Sequence, residues 1–502
     1  MSTSSVAEAA VPADDARVAV ISMYRAEDKI HARSVSGWYA AWRWVLVWAT
    51  QLTFYGLPWL QWNGRQMMLF DLDARRFYIF GPVLYPQDFI YLTGLLIVSA
   101  YALFLFTAVA GRLWCGYACP QTVYTEIFMW VERRFEGDRN RRIKLDQAPW
   151  GVEKLLRRGG KHAVWLAIGL WTGFSFVGYF TPIRSLAQSA LSLGFGPWEW
   201  FWILFYGFAT YGNAGFLREQ VCKYMCPYAR FQGAMFDADT LVIGYDTERG
   251  EPRGGHRPFS VKDGGHAQAQ AAGLGDCIDC TLCVQVCPTG IDIRKGLQYE
   301  CIGCAACIDA CDGVMDKMKY PRGLIRYDTE RGVQQHLSRS QIWRRVLRPR
   351  VLIYGAVLLL ICAGLVSSLA LRAPFKVDIV RDRGSLARLV DNGWIENVYR
   401  LQVMNATERL QRYRITVEGL AGITAAADGH VDGDVDGVTE VPPAEARWLP
   451  VAVRVPPQTA QRNGSGAHAI RFKVERLPSD AASAGADVSR SVTEASTFVV
   501  PR

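Results

Sequence analysis

Residues 351–371, "VLIYGAVLLLICAGLVSSLAL", carry no charged side chain. As a helix such a run is as long as the roughly 30 Å hydrocarbon core of a bilayer, where backbone groups must satisfy one another within the segment. Four further stretches have similar length and apolarity: 38–60, 89–110, 163–183 and 198–216, with Arg43 inside the first and Glu199 at the edge of the last. Of the 17 Trp, 14 precede residue 218, a sorting expected of interfacial aromatic belts and not of a soluble enzyme. The expectation is an integral membrane protein with an α-helical bundle of about five spans.

Cytoplasmic loops collect Lys and Arg. Residues 111–161 hold 11 of them, 61–87 only three, and 184–195 one, while Arg339, Arg344, Arg345, Arg348 and Arg350 crowd the approach to the last span. This predicts cytoplasmic placement for the N-terminus, 111–161 and 217–350. An odd number of spans then places the C-terminus in the periplasm of a bacterial inner membrane. The net charge of +9 is thereby read as topology and not as a nucleic-acid surface. Residues 1–35 are polar, lack the apolar core of a signal peptide, and are expected to form a flexible cytoplasmic tail.

Twelve of the 13 cysteines fall in four tight clusters, and none follows Cys362, which excludes a disulfide-stapled scaffold and points to metal or redox chemistry. "CIDCTLCVQVCP" contains Cys277, Cys280, Cys283 and Cys287; "CIGCAACIDACD" contains Cys301, Cys304, Cys307 and Cys311. Both read C-x2-C-x2-C-x3-C, the bacterial-type spacing for two 4Fe–4S clusters, in which the fourth thiolate of each run serves the other cluster. By that crossed rule Cys277, Cys280, Cys283 and Cys311 hold one cluster, and Cys301, Cys304, Cys307 and Cys287 the other. A zinc ribbon would leave the third and fourth cysteine of each run without a purpose. Asp312 stands where a second proline is usual. "YDTERG" occurs twice, at 245–250 and 327–332, so 241–245 and 324–327 are expected to pair as the closing strands of an α+β ferredoxin unit over 236–335. His256 and His266, in the Gly/Ala-rich linker 251–275, are expected to be loop histidines in preference to ligands.

Two more thiol pairs follow the second and fourth apolar stretches: Cys115 and Cys119 in "CGYACPQ", Cys222 and Cys226 in "CKYMCPYARFQ". The shared C-x-Y-x-C-P suggests an internal duplication within 36–235. Residues four apart share a helix face, so each pair is expected on the last helical turn of its span, with the proline ending that helix. Four thiols on repeat-related helices can converge on one site facing the ferredoxin unit. Soft thiolates favour Cu(I); a disulfide, or simple packing, also remains open. Met225 is apolar filling or a thioether ligand, Tyr117 and Tyr224 are expected at the interface, and Cys362 packs within the last span, at 350–372. There is no C-x-x-C-H, no histidine inside a span and no Walker A motif, so the electron donor, itself unknown, must be another protein or a membrane quinol.

Beyond Arg372 the pattern changes. "YRLQVMN", "YRITVEG", "VAVRVPP" and "IRFKVER" alternate apolar and polar residues, with Asp432-Gly433 and Asn463-Gly464 as turn signals. An all-β sandwich is expected over 373–502.

With "RLWCGYACPQTVYTE", "CKYMCPYARFQ", "GYDTERGEPRG", the two cysteine runs and "GLIRYDTERG" in view, the chain closely resembles the CcoG/FixG family of cytochrome oxidase accessory proteins. The resemblance covers roughly 36–375; the C-terminal region fits that family's immunoglobulin-like domain more loosely. It implies a membrane-bound cupric reductase that supplies Cu(I) for assembly of cbb-type cytochrome c oxidase. The eight run cysteines would then be cluster ligands, and Cys115, Cys119, Cys222 and Cys226 would be catalytic, copper-handling thiols, with copper as substrate or transient ligand. Copper-handling proteins and oxidase subunits would be the partners. The paired C-x3-C-P motifs alone also resemble NapH-type membrane ferredoxins, which implies a quinol dehydrogenase as an alternative; an assembly scaffold without turnover is a third.

Overall fold

The computed structural model describes residues 29–254, 266, 271–335, 337–382, 387–427, 438–477 and 491–501. Helix α1 (Trp38–Gly56) leads into a small antiparallel meander, β1 (Met68–Asp71), β2 (Arg76–Ile79) and β3 (Val83–Leu84), and then into α2 (Phe89–Ala110). Next come α3 (Leu113–Tyr117), α4 (Pro120–Glu136), α5 (Val152–Val177), α6 (Pro197–Gly212) and α7 (Pro227–Met235). Helices α5 and α6 approach closely through Gly169 and Gly173, a small-xxx-small pair; a Cβ on Gly169 would lie 2.6 Å from the Gly207 carbonyl oxygen.

The two YDTERG copies face each other. Strand β4 (Val242–Tyr245) pairs antiparallel with β5 (Ile325–Asp328), Ile243 opposite Tyr327. Asp246 and Thr329 each cap the helical turn that follows, accepting from the Arg249 and Gly332 amides. Between the strands lie both cysteine runs and α8 (Ala306–Met318). Asp312 accepts from the Gly323 amide at 3.0 Å, so the residue in the proline position ties the run to the closing strand. His266 pairs with Asp276 at 2.9 Å and packs on Tyr320; His256 lies outside the described residues.

Helix α9 (Pro349–Leu371) packs beside α2 and leads to the C-terminal sandwich, β6 (Phe375–Arg381), β7 (Arg388–Val390), β8 (Trp394–Asn405), β9 (Gln411–Glu418), β10 (Thr424–Ala427), β11 (Val438–Val441), β12 (Ala446–Val455), β13 (Gly466–Arg476) and β14 (Ser491–Val500). One sheet has the order β10-β12-β8-β6 with β7 also on β8; the other is β11-β9-β13-β14. Tyr399, Tyr413, Phe375, Phe472 and Phe498 fill the space between them. All four predicted strand segments lie in this sandwich. Asn463-Gly464 is not a hairpin turn: Asn463 ends a short helix, Pro457–Asn463, and Gly464 closes it with φ 75°. Asp432-Gly433 lies outside the described residues.

The sandwich and the ferredoxin unit sit at opposite ends of α2. At its start, buried Asp88 pairs with Arg372 (3.1 Å) and Lys376 (2.6 Å), and Tyr85 donates to the Asn405 carbonyl (3.0 Å). At its end, the Leu241 amide donates to the Val109 carbonyl (3.1 Å) and Thr240 to that of Ala108 (3.2 Å). Twenty-two helical residues at 1.5 Å each make about 33 Å, one bilayer core.

Two sequence expectations change here. Among the described residues only two helices, Pro86–Ala110 and Pro349–Leu371, are both long and apolar enough to cross a membrane. The other three predicted spans are helices but fall short: α6 has 16 residues, α5 spends its first turns on Glu153, Lys154, Arg157, Arg158 and Lys161, and α1 is rich in Trp, Tyr, Thr and Gln. Their outward faces nonetheless present Trp48, Leu52, Trp171, Phe205 and Phe208. The expected tail of residues 1–35 is also shortened. Residues 1–28 lie outside the described residues, but the Arg33 amide bonds the Gln285 carbonyl of the ferredoxin unit (2.8 Å) and the Ser34 amide bonds Asp138 beyond α4 (3.0 Å), so this stretch is held between the two.

Candidate functional site

Proline disfavours the α conformation in the residue before it, so both C-P steps break the helix and restart it. Cys119 (ψ 129°) and Cys226 (ψ 110°) are extended, and Pro120 and Pro227 open α4 and α7. The second cysteine of each pair is therefore the N-cap of the following helix and not part of the span's last turn as expected. Helix α2 ends at Ala110, and Cys115 rides on the separate turn α3; Cys222 rides on a π-helical turn, Val221–Met225. The two motifs match in hydrogen bonding as well. The Cys119 amide reaches the Trp114 carbonyl (3.1 Å) and the Cys226 amide that of Val221 (2.8 Å), each five residues back. Gln121 ties the copies together, its amide donating to the carbonyls of Asn213 (2.9 Å) and Arg218 (3.1 Å).

The four thiols lie in one region of the structure. Cys222 lies within electrostatic reach of Cys119, Cys115 and Cys226, and Cys115 within reach of Cys119 and Cys226. Burial pushes the Cys115 thiol up to about 11 and the Cys222 thiol up to about 12, so both are protonated at neutral pH in the metal-free chain. Burial also raises Cys119, opposed by the Gln121 and Thr122 amides at the start of α4. Gln232 lies 3.5 Å from the Cys115 sulfur. Among the described residues no three His, Cys, Asp or Glu side chains already surround one point as ligands of a single ion.

The quartet touches the ferredoxin unit. Cys115 and Cys222 pack against Val286, Ile302, Cys304 and Ala306. Gly116, between Cys115 and Tyr117, lets the two backbones meet: a Cβ there would lie 2.8 Å from the Cys304 Cα and from the Gly303 carbonyl oxygen. Its counterpart in the second motif is Lys223. The two tyrosines diverge likewise. Tyr117 is buried beside Tyr327, whereas Tyr224 and Met225 are exposed.

Each crossed set of run cysteines lines one pocket, and Cys283 borders both. Cys287, Cys301, Cys304 and Cys307 share one with Ile243, Ile291 and Ile302. Cys277, Cys280, Cys283 and Cys311 line another with Leu282, Met315 and Ile325. Sulfur supplies nearly all the donors in both, with aliphatic walls around it, a donor set that fits iron–sulfur clusters. The first pocket faces the membrane-edge thiols. Sequence reasoning missed the residue that fixes this orientation: Asp309, between Cys307 and Cys311, accepts from the Tyr39 (3.2 Å) and Ala40 (2.7 Å) amides and so caps α1 from the neighbouring unit.

A family model described as a 4Fe-4S dicluster domain matches residues 217–330, one described as a 4Fe-4S binding domain matches 92–137, and one described as an IG-like fold at the C-terminal of FixG matches 365–501. The chain is 38% identical over 468 residues to the nitrogen fixation protein FixG of Rhizobium meliloti, covering 86% of this chain and 88% of that one. It is 40% identical over 424 residues to protein RdxA of Cereibacter sphaeroides, covering 82% and 87%. The solved structure of a FixG-related protein from Vibrio parahaemolyticus aligns with 26% of this chain and 97% of its own, at 23% identity and a TM-score of 0.20.

Proposed function

Because the chain belongs to the FixG family of membrane-associated iron–sulfur proteins, we propose that it reduces Cu(II) to Cu(I) and supplies the product for assembly of the copper centre of a cbb-type cytochrome c oxidase. The observation that carries this reading is the packing of Cys115 and Cys222, with Cys119 and Cys226 within electrostatic reach, against the loop that bears Cys304, which the Gly116 backbone touches.

Cys277, Cys280, Cys283 and Cys311 would hold one 4Fe–4S cluster, and Cys287, Cys301, Cys304 and Cys307 the other. Bound there, the clusters supply one-electron transfer. Cys115, Cys119, Cys222 and Cys226 bind the substrate ion. Sulfur favours Cu(I) over Cu(II), so the thiols stabilise the product of the one-electron reduction. Cys115 and Cys222 give up protons as they ligate, and the Gln121 and Thr122 amides at the start of α4 partly offset the burial that raises the Cys119 thiol. The outward-facing Trp and Phe of α1, α5 and α6 suit lipid contact, which supports five spans in a bacterial inner membrane with the clusters cytoplasmic and the sandwich periplasmic. Phosphatase fused after Arg381 is then active, and fused after Asp312 silent; the reverse overturns this topology.

Replacing each of Cys115, Cys119, Cys222 and Cys226 by Ser tests the site. Cu(II) reduction by the dithionite-reduced protein, read with a Cu(I) chelator, is expected to fall while iron per chain stays constant. Wild-type reduction rates in all four variants overturn the copper assignment. Loss of iron in them would mean that the quartet holds an iron–sulfur centre instead. Loss of quinol oxidation with copper reduction intact would mean a quinol dehydrogenase.

A further inference from the structure

Two buried guanidiniums from the membrane-edge region exert their charge on the run of Cys301 and Cys304. Arg112 follows the end of α2 and is 7% exposed; Arg43, on α1, is 6% exposed. The Arg112 backbone packs on Gly303, between Cys301 and Cys304, where a Cβ would lie 3.1 Å from the Arg112 carbonyl carbon. Its side chain donates to the Ala229 carbonyl (2.5 Å) and to that of Tyr299, and its Nε has no partner. Among the described residues no carboxylate pairs with it. Its charge acts on Cys301 on one side and on Cys115 and Cys222 on the other. Arg43 acts on Cys304; its nearest carboxylate is Glu126 at 3.7 Å, and the charge of Asp309 also acts on it. The other pocket differs. Its guanidinium, Arg294, is held by Asp292 (2.8 Å) and by Asp279. A buried cation without a counter-charge is costly unless an anion comes to face it. Thiolate-bound iron–sulfur centres are anionic and become more so on reduction, so a fixed cation beside one raises its potential.

We propose that Arg112, assisted by Arg43, gives the centre held by Cys287, Cys301, Cys304 and Cys307 the higher reduction potential of the two, making it the one that passes electrons to the membrane-edge thiols. This rests on the two-cluster reading above. The step is the movement of one electron: the centre at Cys277, Cys280, Cys283 and Cys311 is oxidised, the membrane-facing centre is reduced, and no proton or bond changes place. Arg112 acts through the field it exerts on the sulfurs and has no direct part in the chemistry.

The test is a redox titration of full-length protein in detergent, followed by electron paramagnetic resonance, with the signals assigned by their loss in Cys301→Ala and Cys280→Ala. Arg112→Gln is expected to lower the midpoint of the centre lost in Cys301→Ala about tenfold in reduction constant, which is about 59 mV for one electron. Arg112→Lys is expected to restore most of it. Glu126→Gln, which frees Arg43, is expected to raise the same midpoint and leave the other unmoved. If Arg112→Gln is recovered without iron, the Glu126→Gln shift decides. Midpoints that do not move, or that move at the centre lost in Cys280→Ala, overturn the proposal. Wild-type protein that contains no iron overturns the cluster reading itself.

Discussion

In the ferredoxin runs, three sulfurs of each quartet come from seven consecutive residues, 277–283 or 301–307, and the fourth from the neighbouring run. The membrane-edge quartet instead takes two sulfurs from each of two segments more than a hundred residues apart, joined by helix packing, the Gln121 bridge and the glycine contact at Gly116. Closing a short loop around a site costs little conformational entropy, whereas holding distant segments together needs tertiary contacts. The difference teaches where each site is vulnerable. The run quartets depend on the cysteines themselves; the membrane-edge quartet depends equally on residues that never touch a metal.

The largest expected effect tests the first half of that contrast. Cys301→Ala and Cys287→Ala will each lower iron from about eight to about four per chain, since each cubane carries four irons, and both will erase the same resonance signal. Cys283→Ala will erase the other. Zinc in place of iron and sulfide in anaerobically prepared protein would end the comparison at its base.

The second half is tested at a residue without donor atoms. Gly116→Val puts side-chain carbon where the Cys304 backbone lies, 2.8 Å from an added Cβ. Overpacking of this kind costs about 1–3 kcal/mol. It is expected to push the cysteine run away from the thiols, with chelator-read Cu(II) reduction falling while iron content is kept. Lys223→Gly, at the equivalent position of the second motif, is expected to change neither.

A smaller effect concerns protons. With Cys115 shifted up to about 11 and Cys222 up to about 12, both thiols must lose a proton to bind a soft ion. Between pH 6 and 9 each remains protonated when free, so affinity rises with pH. The slope is about tenfold per unit for every proton released, measurable by competition with a chelator of known pH dependence. A flat profile would mean that the quartet binds without deprotonation. The smallest effect is at the cap. Asp309→Ala removes the acceptor for the Tyr39 and Ala40 amides and is expected to cost about 1 kcal/mol, seen as a small drop in the denaturation midpoint with iron retained.

The expected sandwich strands fell where their alternation placed them because period-2 patterning records which face is buried. The strands that run into the two YDTERG copies pair, and each copy supplies the residue that caps the turn after its strand. Span number was less legible. Trp, Tyr and Thr suit an interface as well as a lipid face, so α1, α5 and α6 read as spans from local composition, yet they fall short: α6 by length, α5 by charge and α1 by hydropathy.

At the helix ends, each C-P step breaks the helix, as the sequence predicts, and also opens the next one, which leaves the preceding cysteine as its cap and not on the span's last turn. One signal was available and passed over: the duplicated motifs differ by Gly116 against Lys223, and a glycine retained in one copy marks the side where another backbone approaches.

The sequence alone determined the run cysteines, the duplicated thiol pairs and the strand-rich C-terminus, because each is written in spacing of a few residues. Only the tertiary structure decided that the four membrane-edge thiols lie within electrostatic reach of one another, that the pocket lined by Cys304 faces them, that Asp309 caps α1, and that Arg112 stands between the two sites with no carboxylate paired to it among the described residues. Those relations join residues far apart in the chain. Their physical basis is close backbone approach and the satisfaction of buried polar groups, which no local pattern records.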